Sequence, residues 1–365
     1  MYDLLRPLLF RMDAERAHHA GMWSARLVQA LSPALLDRWF AYEDAALHQT
    51  LWGVNFHNPV GLAAGFDKNA RLVQFWEHLG FGFTEVGSVS AQPAGGNPKP
   101  RAFRLPKDEA VINRMGLNNQ GAVRIARRLQ QTTHRRPLGI NLVKTHDASI
   151  MGEAGLADFR TSFRQLAPLA DYVTLNISCP NTQAGKTFEA PDALDALLRT
   201  IFAERREQGL DVPILLKLAP PHSPRVAYDS QVEGVVDVGS AHGVHGYIAT
   251  NTAPDRPEGL RTGAERLAAI GRGGLSGKPL AERATHLVRY LYRLTDGAVP
   301  IIGVGGVASA EDAYAKIRAG ASLVQLYTGL VYEGPGLIKR IKQGLVERLT
   351  ADGLGIIQEA VGADA

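Results

Sequence analysis

The sequence predicts a closed parallel (β/α)8 barrel, and two observations lead to this prediction. Short apolar runs recur from about residue 51 onward, and they are continuous rather than alternating, which is typical of strands buried on both faces. Helical patterns separate the runs, as the crossovers of a parallel sheet require. An open doubly wound sheet is the alternative that this alternation leaves open. The eight predicted strands cover residues 60–65, 82–88, 138–142, 172–177, 214–218, 246–250, 301–304 and 322–327.

The elements between the strands follow from the same periodicities. Apolar residues at helical spacing predict helices over 121–131, 191–208, 281–294 and 309–319. Between the second and third strands, residues 102–105 and 110–113 flank a turn-forming segment, which predicts a hairpin inserted over the barrel mouth. No second globular domain and no internal repeat is predicted.

The first 45 residues form a predicted helical extension to a barrel domain that spans residues 46–365. An amphipathic helix is expected over 2–12, and Asp13 is placed to cap a second helix that continues until Pro33. Their apolar faces either pack on the barrel or contact lipid, and the pattern leaves both interpretations open. Five arginines and six acidic residues among the first fifty mean that lipid contact would depend on apolar insertion rather than on anionic headgroups.

The overall composition excludes several function classes. With 365 residues, 45% of them hydrophobic and 21% charged, the chain has the composition of a folded soluble enzyme and not of a disordered protein. Its net charge of +4 is small for this length and it has no long run of Lys or Arg, so no nucleic-acid partner is predicted. A single cysteine, and the lack of the roughly 18 consecutive apolar residues that a spanning helix needs, indicate a cytoplasmic protein without an internal disulfide.

Polar side chains stand at the end of nearly every predicted strand, where a barrel of this kind builds its site. One asparagine in such a place is most often a turn former, but the repeated pattern predicts a shared pocket. Neutral amides and hydroxyls with two ammonium groups suit a flat heterocycle that has imide edges and an anionic group. The set contains no carboxylate pair for hydrolysis and no metal-binding cluster, so no metal is predicted. Its members are Lys68, Ser88, Asn113, Asn118, Asn141, Asn176, Lys217, Thr250, Asn251 and Thr252.

Glycine-containing segments surround the last two predicted strands. Segments 271–278, 303–306 and 327–329 predict a nucleotide-phosphate site built from backbone N–H groups, with plain loop geometry as the alternative. A P-loop is excluded, because Pro180 and Arg272 occupy the positions where its first glycine is required.

Cys179 follows the fourth predicted strand, in the segment from Asn176 to Asn181. A lone cysteine is most often a small buried hydrophobe. The hydrogen-bonding groups around it and the turn-stiffening Pro180 favour a second interpretation, in which the sulfur accepts a proton from a bound substrate. A nucleophilic role is a further alternative, although no histidine is obviously placed to activate the thiol.

Seven segments of the chain resemble dihydroorotate dehydrogenases, the flavin enzymes of pyrimidine synthesis, and the resemblance extends over nearly the whole length. Segment 13–18 (DAERAH) is similar to the N-terminal region of the membrane-associated, quinone-using class of that family. The chain is therefore identified from its sequence as a member of this class. The seven segments are 61–69, 103–105, 113–116, 176–181, 249–252, 273–277 and 301–306.

The resemblance implies a role for each matching position. FMN is assigned to Ala64, Gly65, Lys68, Ser88, Asn141, Asn176, Lys217, Thr250, Gly277, Gly306, Tyr327 and Thr328. Dihydroorotate is assigned to Lys68, Asn113, Arg114, Met115, Gly116, Leu117, Asn176, Asn181, Asn251 and Thr252. The quinone head is assigned to His18, Arg104 and Tyr327.

The reaction that the resemblance implies is the oxidation of (S)-dihydroorotate to orotate. Cys179 would remove a proton from C5 while a hydride passes from C6 to N5 of FMN, and a membrane quinone would then reoxidise the flavin. The resemblance also implies a cytoplasmic enzyme whose N-terminal helices contact the inner face of the cell membrane. The quinone-using class typically has serine at the base position, so Cys179 matches the soluble class. A thiol, whose reference pKa is about 8.5, can serve the same step.

Two other functions stay open at this stage. The first is a soluble relative that reoxidises its flavin with fumarate and has acquired an N-terminal extension. Cys179 and Leu117 leave this alternative open, since the quinone-using class usually has serine and phenylalanine there. The second is a non-redox, phosphate-binding barrel whose helices recruit a partner. The sequence predicts neither the type of quinone nor the oligomeric state.

Overall fold

The computed structural model of the chain describes residues 2–178, 188–221 and 229–365. In this part of the chain the strands are β1 (Gln49–Leu51), β2 (Val54–Phe56), β3 (Val60–Leu62), β4 (Phe83–Val89), β5 (Ala102–Leu105), β6 (Ala110–Asn113), β7 (Leu138–Leu142), β8 (Tyr172–Asn176), β9 (Ile214–Leu218), β10 (Gly246–Ala249), β11 (Gly274–Gly277), β12 (Ile301–Val304) and β13 (Leu323–Leu326). The α-helices are α1 (Tyr2–Arg11), α2 (Ala14–Leu31), α3 (Pro33–Phe40), α4 (Val73–His78), α5 (Ala122–Leu129), α6 (Gly152–Leu166), α7 (Pro191–Glu207), α8 (Ser230–His242), α9 (Ala264–Ile270), α10 (Ala281–Leu294), α11 (Ala310–Arg318), α12 (Thr328–Glu333) and α13 (Leu337–Ala351).

Eight strands form a closed parallel barrel, in the order β3, β4, β7, β8, β9, β10, β12 and β13. Each strand pairs in parallel with the next one, and β13 pairs with β3 to close the ring. The predicted (β/α)8 barrel is therefore confirmed, and the open sheet is excluded because it would leave two unpaired edges. Every residue of β7, β8 and β9 is buried, which explains why their apolar runs are continuous.

Aromatic side chains pack inside the barrel near the amino ends of its strands. A Cβ on Gly61 would overlap the Phe83 ring, and one on Gly139 would overlap the Tyr172 ring, so two glycines make room for two rings. Below them, the hairpin of β1 and β2 closes the amino end of the barrel, where the Trp52 indole donates to the His245 carbonyl at 2.7 Å. The sequence did not predict this hairpin. The opposite, carboxyl end is left to form a site.

A second sheet lies over the barrel mouth. The predicted hairpin is present as β5 and β6, and β11 adds to it as a third antiparallel strand. The sequence analysis predicted no strand in the segment that contains β11, which it assigned to a nucleotide-phosphate site with a plain loop as the alternative. Glycine instead allows close packing, because a Cβ on Gly274 would overlap Thr252 Oγ1 and one on Gly277 would overlap the Glu109 carbonyl.

The N-terminal extension consists of three helices, one more than the sequence predicted. The Asp13 side chain caps α2 by accepting from the backbone N–H groups of Glu15 and Arg16, each at 3.0 Å. Pro33 begins α3 rather than only ending the previous helix, since a first-turn position needs no N–H donor. In the ranges that the structure describes, none of the helices is both long enough and apolar enough to cross a bilayer.

Candidate active site

A cavity of about 660 Å³ opens at the carboxyl end of the barrel and continues beneath α1 and α2. It brings together residues from all the groups that the sequence singled out. The sequence-predicted residues that line it are His18, Ala64, Gly65, Lys68, Ser88, Arg104, Asn113, Met115, Gly116, Leu117, Asn176, Lys217, Thr250, Asn251, Thr252, Gly277, Gly306, Tyr327 and Thr328.

Among the described residues, three of the predicted ones do not line this cavity, namely Asn118, Asn141 and Arg114. Asn141 is fully buried behind Ser88. The Arg114 side chain extends away from the cavity, donates to the carbonyls of Ile270 and Arg272, and lies 4.6 Å from the centre of the Phe103 ring. Cys179 and Asn181 lie outside the described residues.

A chain of hydrogen bonds connects the polar strand ends. Asn251 Nδ2 donates to Asn176 Oδ1 at 3.2 Å, and Asn176 Nδ2 donates to Ser88 Oγ at 3.1 Å. The Ser88 hydroxyl in turn donates to Asn141 Oδ1. The last hydrogen bond of this series runs from Asn141 Nδ2 to the Glu85 carboxylate, at 2.8 Å. The side chains at the barrel mouth are therefore held in one connected arrangement.

Glu85 and Gln325 are site residues that the sequence analysis missed. Both are fully buried, and Gln325 Nε2 donates to Glu85 Oε2 at 2.8 Å. Gln325 also lines the cavity, and its Oε1 accepts no hydrogen bond from the residues described. A polar residue inside a continuous apolar run was the available signal, because such a residue must find a partner within the barrel.

The glycine-rich end of the cavity lies beside the N-terminus of α10. A Cβ on Gly306 would overlap the Cβ of Ala281, so glycine allows the loop after β12 to approach the first residue of that helix. On the neighbouring wall, the hydroxyls of Ser276 and Thr328 form a hydrogen bond at 2.9 Å. Backbone and hydroxyl groups line this end, as a phosphate requires.

The part of the cavity beneath the N-terminal helices is mostly apolar and contains three of the predicted side chains. Burial, together with the nearby charges of His19 and Lys68, lowers the pKa of His18 to about 4, so its imidazole is neutral at pH 7. Burial raises the pKa of Tyr327 to about 12, which keeps the phenol protonated. Arg104 donates to the carbonyls of Leu9, at 2.8 Å, and of Met12, and thereby joins α1 to the second sheet.

A buried ion pair joins α2 to the loop that precedes β5. Glu15 and Arg101 are 5% and 7% exposed, and Arg101 donates to both carboxylate oxygens at 2.8 and 3.2 Å. Arg101 also donates to the carbonyls of Gly95 and Asn97, at 2.8 and 2.9 Å. The hydrogen bonds from Arg101, above all, lower the pKa of Glu15 and keep it ionised.

One group of possible metal ligands among the described residues does not line this cavity and lies beside the hairpin of β1 and β2. Glu43, His48 and His57 have ligand atoms within 4.8 Å of one another, a proximity that the sequence analysis did not foresee. The Glu43 carboxylate already accepts from Arg136 at 2.9 Å. Because the guanidinium competes for this carboxylate, the group is a weak candidate for a cation.

Fold and site together define a (β/α)8-barrel enzyme whose cavity joins a polar barrel mouth to an apolar compartment beneath the N-terminal helices. Residues 46–349 match the family model of dihydroorotate dehydrogenase. The chain belongs to the dihydroorotate dehydrogenase family.

Relatives of known name match nearly the whole chain. A dihydroorotate dehydrogenase (quinone) from Roseiflexus sp. (strain RS-1) is 46% identical over 99% of this chain and 98% of its own length. A protein of the same description from Nocardia farcinica (strain IFM 10152) is 44% identical over 100% and 97%. The crystal structure of ligand-free DHODH from Eimeria tenella superimposes with a TM-score of 0.83, at 35% identity over 96% of this chain and 99% of that one.

Proposed function

We propose that this chain oxidises dihydroorotate to orotate in pyrimidine (UMP) synthesis, with FMN as its cofactor and a quinone as its electron acceptor. The family match and the full-length similarity to quinone-type relatives support this function. The structural observation that carries it is the single cavity, which joins a barrel mouth of amides and ammonium groups to an apolar compartment under α1 and α2.

The residues present fit FMN. The buried Gln325 Oε1, which has no donor in the described part of the chain, and the amides around it suit the imide edge of a flavin. The glycine-lined end beside Thr328 suits the phosphate. When bound, FMN supplies the hydride acceptor and the route for electrons to the quinone. The residues that we propose for it are Ala64, Gly65, Lys68, Ser88, Asn141, Asn176, Lys217, Thr250, Gly277, Gly306, Tyr327 and Thr328.

The substrate would bind against the same ring of strand ends. Lys68 offers a positive charge for the carboxylate of dihydroorotate, and Asn113, Asn176 and Asn251 offer donors and acceptors for its ring. The Arg114 side chain extends away from the cavity, which corrects its predicted role, so we assign the remaining contacts to Met115, Gly116, Leu117, Asn181 and Thr252. Cys179 is the proposed base, and its thiolate would take the proton from C5 as the hydride leaves C6.

The acceptor side is assigned to the helical extension of residues 1–45, and the FMN barrel to residues 46–365. A neutral His18 imidazole and the protonated Tyr327 phenol can both donate hydrogen bonds without placing a charge in the apolar compartment. Arg104 adds a fixed positive charge at its edge. These three groups would bind the carbonyl oxygens of the quinone head.

We further propose that the extension rests on the inner face of the cell membrane of a cytoplasmic enzyme. Among the described residues, thirteen large hydrophobic side chains are exposed, and ten of them lie between residues 4 and 39. Leu4 is 80% exposed and Leu31 is 74% exposed. The first fifty residues contain five arginines and six acidic residues, so apolar insertion would drive the contact and charge attraction would not.

The double variant Leu4→Asp/Leu31→Asp should bind neutral phosphatidylcholine vesicles at least about 10-fold more weakly, since each leucine loses an apolar burial of about 1.5–3 kcal/mol. Flotation with vesicles measures this partition. Val123→Asp is the matched control, because Val123 is an exposed apolar residue on the barrel helix α5 and should not contribute. Equal binding by all three proteins would contradict the membrane proposal.

The function itself is tested by the colour of the purified protein. It should be yellow, lose its flavin absorbance on anaerobic addition of dihydroorotate, and regain it faster with a quinone analogue than with fumarate. Faster recovery with fumarate would select the soluble class. A folded protein that cannot be reconstituted with FMN would contradict the proposal and favour a non-redox, phosphate-binding barrel.

A further inference from the structure

Glu85 is a buried carboxylate in the wall of the barrel, one layer beneath the site. It is completely inaccessible to solvent and accepts hydrogen bonds from three side chains on three different strands. Asn141 Nδ2 donates to Oε1 at 2.8 Å, while Gln325 Nε2 and the Tyr172 hydroxyl donate to Oε2 at 2.8 and 3.2 Å. Burial and the nearby Glu85 raise the pKa of Tyr172 well above its usual value, so this phenol remains a donor.

The direction of these hydrogen bonds follows from the chemistry of the acceptor. An ionised carboxylate has oxygens only and cannot donate, so each amide that faces it must present its NH2 group. The amide oxygens of Asn141 and Gln325 are thereby turned away from Glu85. Asn141 Oδ1 accepts from Ser88 at the barrel mouth, and Gln325 Oε1 has no partner within the described chain although its residue lines the cavity.

A neutral glutamine at position 85 could not hold both amides in this way. It has one oxygen and one NH2 group, so either Asn141 or Gln325 would face a second donor and would have to turn over. Gln325 is the amide that would turn, because its Oε1 has no partner in the described chain, whereas Asn141 would lose the hydrogen bond from Ser88. The NH2 group of Gln325 would then replace the oxygen that faces the cavity. Burying a charged carboxylate is costly. Here the carboxylate provides two oxygens that both accept hydrogen bonds, which a neutral amide cannot do.

We infer that Glu85 is a positioning residue that fixes the Asn141 amide with its oxygen toward Ser88 and the Gln325 amide with its oxygen toward the cavity, so that Gln325 accepts a hydrogen bond from the imide N–H of the flavin. Glu85 acts only through these two amides and touches neither flavin nor substrate. The inference rests on the proposed function, because it requires FMN in the barrel mouth.

The test compares the affinity of the apoprotein for FMN and for 3-methyl-FMN, which lacks the imide N–H. The wild-type protein should prefer FMN by about tenfold or more, since the lost hydrogen bond leaves a buried acceptor unsatisfied. Glu85→Gln should reduce this preference to about twofold or less. Tyr172→Phe is the matched control. It removes a donor to the same carboxylate and a longer, 3.4 Å contact from Gln325 Nε2, but it leaves Glu85 to accept from both amides. It should therefore keep the wild-type preference.

The double variant Glu85→Gln/Gln325→Glu restores the direction of both contacts. The glutamine oxygen introduced at position 85 can accept from Asn141. The carboxylate introduced at position 325 can accept from that glutamine's NH2 group and from Tyr172 while keeping an oxygen toward the cavity. A preference for FMN in this double variant would support the inference even where Glu85→Gln alone does not fold. Should neither variant fold, Gln325→Met decides, because loss of the preference is expected when the cavity acceptor is removed.

Two results would overturn the inference. One is an undiminished preference for FMN in folded Glu85→Gln or in Gln325→Met, and the other is a folded double variant that prefers FMN no more than Glu85→Gln does. A wild-type apoprotein that binds neither flavin would instead refute the proposed function, so the two failures are distinguishable.

Discussion

Replacement of Cys179 by alanine should lower the rate at which dihydroorotate bleaches the bound flavin by a factor of about 10²–10⁴, the usual contribution of a general base. The proton on C5 would then have no acceptor of suitable basicity. FMN should stay bound, because none of the groups assigned to its phosphate belongs to this residue. Anaerobic stopped-flow absorbance measures the bleaching, and the flavin spectrum of the purified variant measures the cofactor content.

Cys179→Ser is the matched control for this prediction. A hydroxyl is far less acidic than a thiol of reference pKa about 8.5, so the serine variant should retain partial activity with a rate that keeps rising to higher pH. In the native protein the rate should rise with pH and level off once the thiol is ionised. If Cys179→Ala bleached the flavin at the wild-type rate, Cys179 would not be the base.

Replacement of Glu15 by alanine should cost about 3–5 kcal/mol of stability, because it leaves the buried Arg101 guanidinium without its carboxylate. The loss should be local at first, since the pair joins α2 to the loop that precedes β5. Hydrogen exchange of the α2 amides and urea unfolding measure the effect. Glu43→Ala removes the carboxylate of a more exposed pair with Arg136 and should cost no more than about 1 kcal/mol.

The contribution of Glu15 to stability should also decrease as the pH falls. Its pKa is lowered in the folded protein from an ordinary value of 4.5, chiefly by the hydrogen bonds from Arg101. The stabilisation is therefore complete above the unfolded pKa and is lost as the pH falls through the folded pKa. The difference between wild type and Glu15→Ala should shrink below about pH 4. A difference that persists unchanged at about pH 2 would show that the pair is not the cause.

The barrel could be predicted from the sequence because its strands are buried on both faces and leave continuous apolar runs. The same reasoning found the strand-end side chains, since a parallel barrel brings all its carboxyl ends to one mouth. It missed β11, whose glycines are typical of turns and become a strand only through pairing with β6. It also missed Glu85 and Gln325, because an apolar run does not reveal which residues meet across the barrel.

The hairpin that carries Trp52 covers the amino end of the barrel, and the Trp52 indole donates to the His245 carbonyl. The proposed site therefore occupies only the carboxyl end of the barrel, and the amino end contributes to stability alone. Substitutions around the Trp52 indole should change the thermal stability of the protein and leave its substrate specificity unchanged. The amino end of the barrel is consequently where a tag or a solid support can be attached without obstructing the cavity.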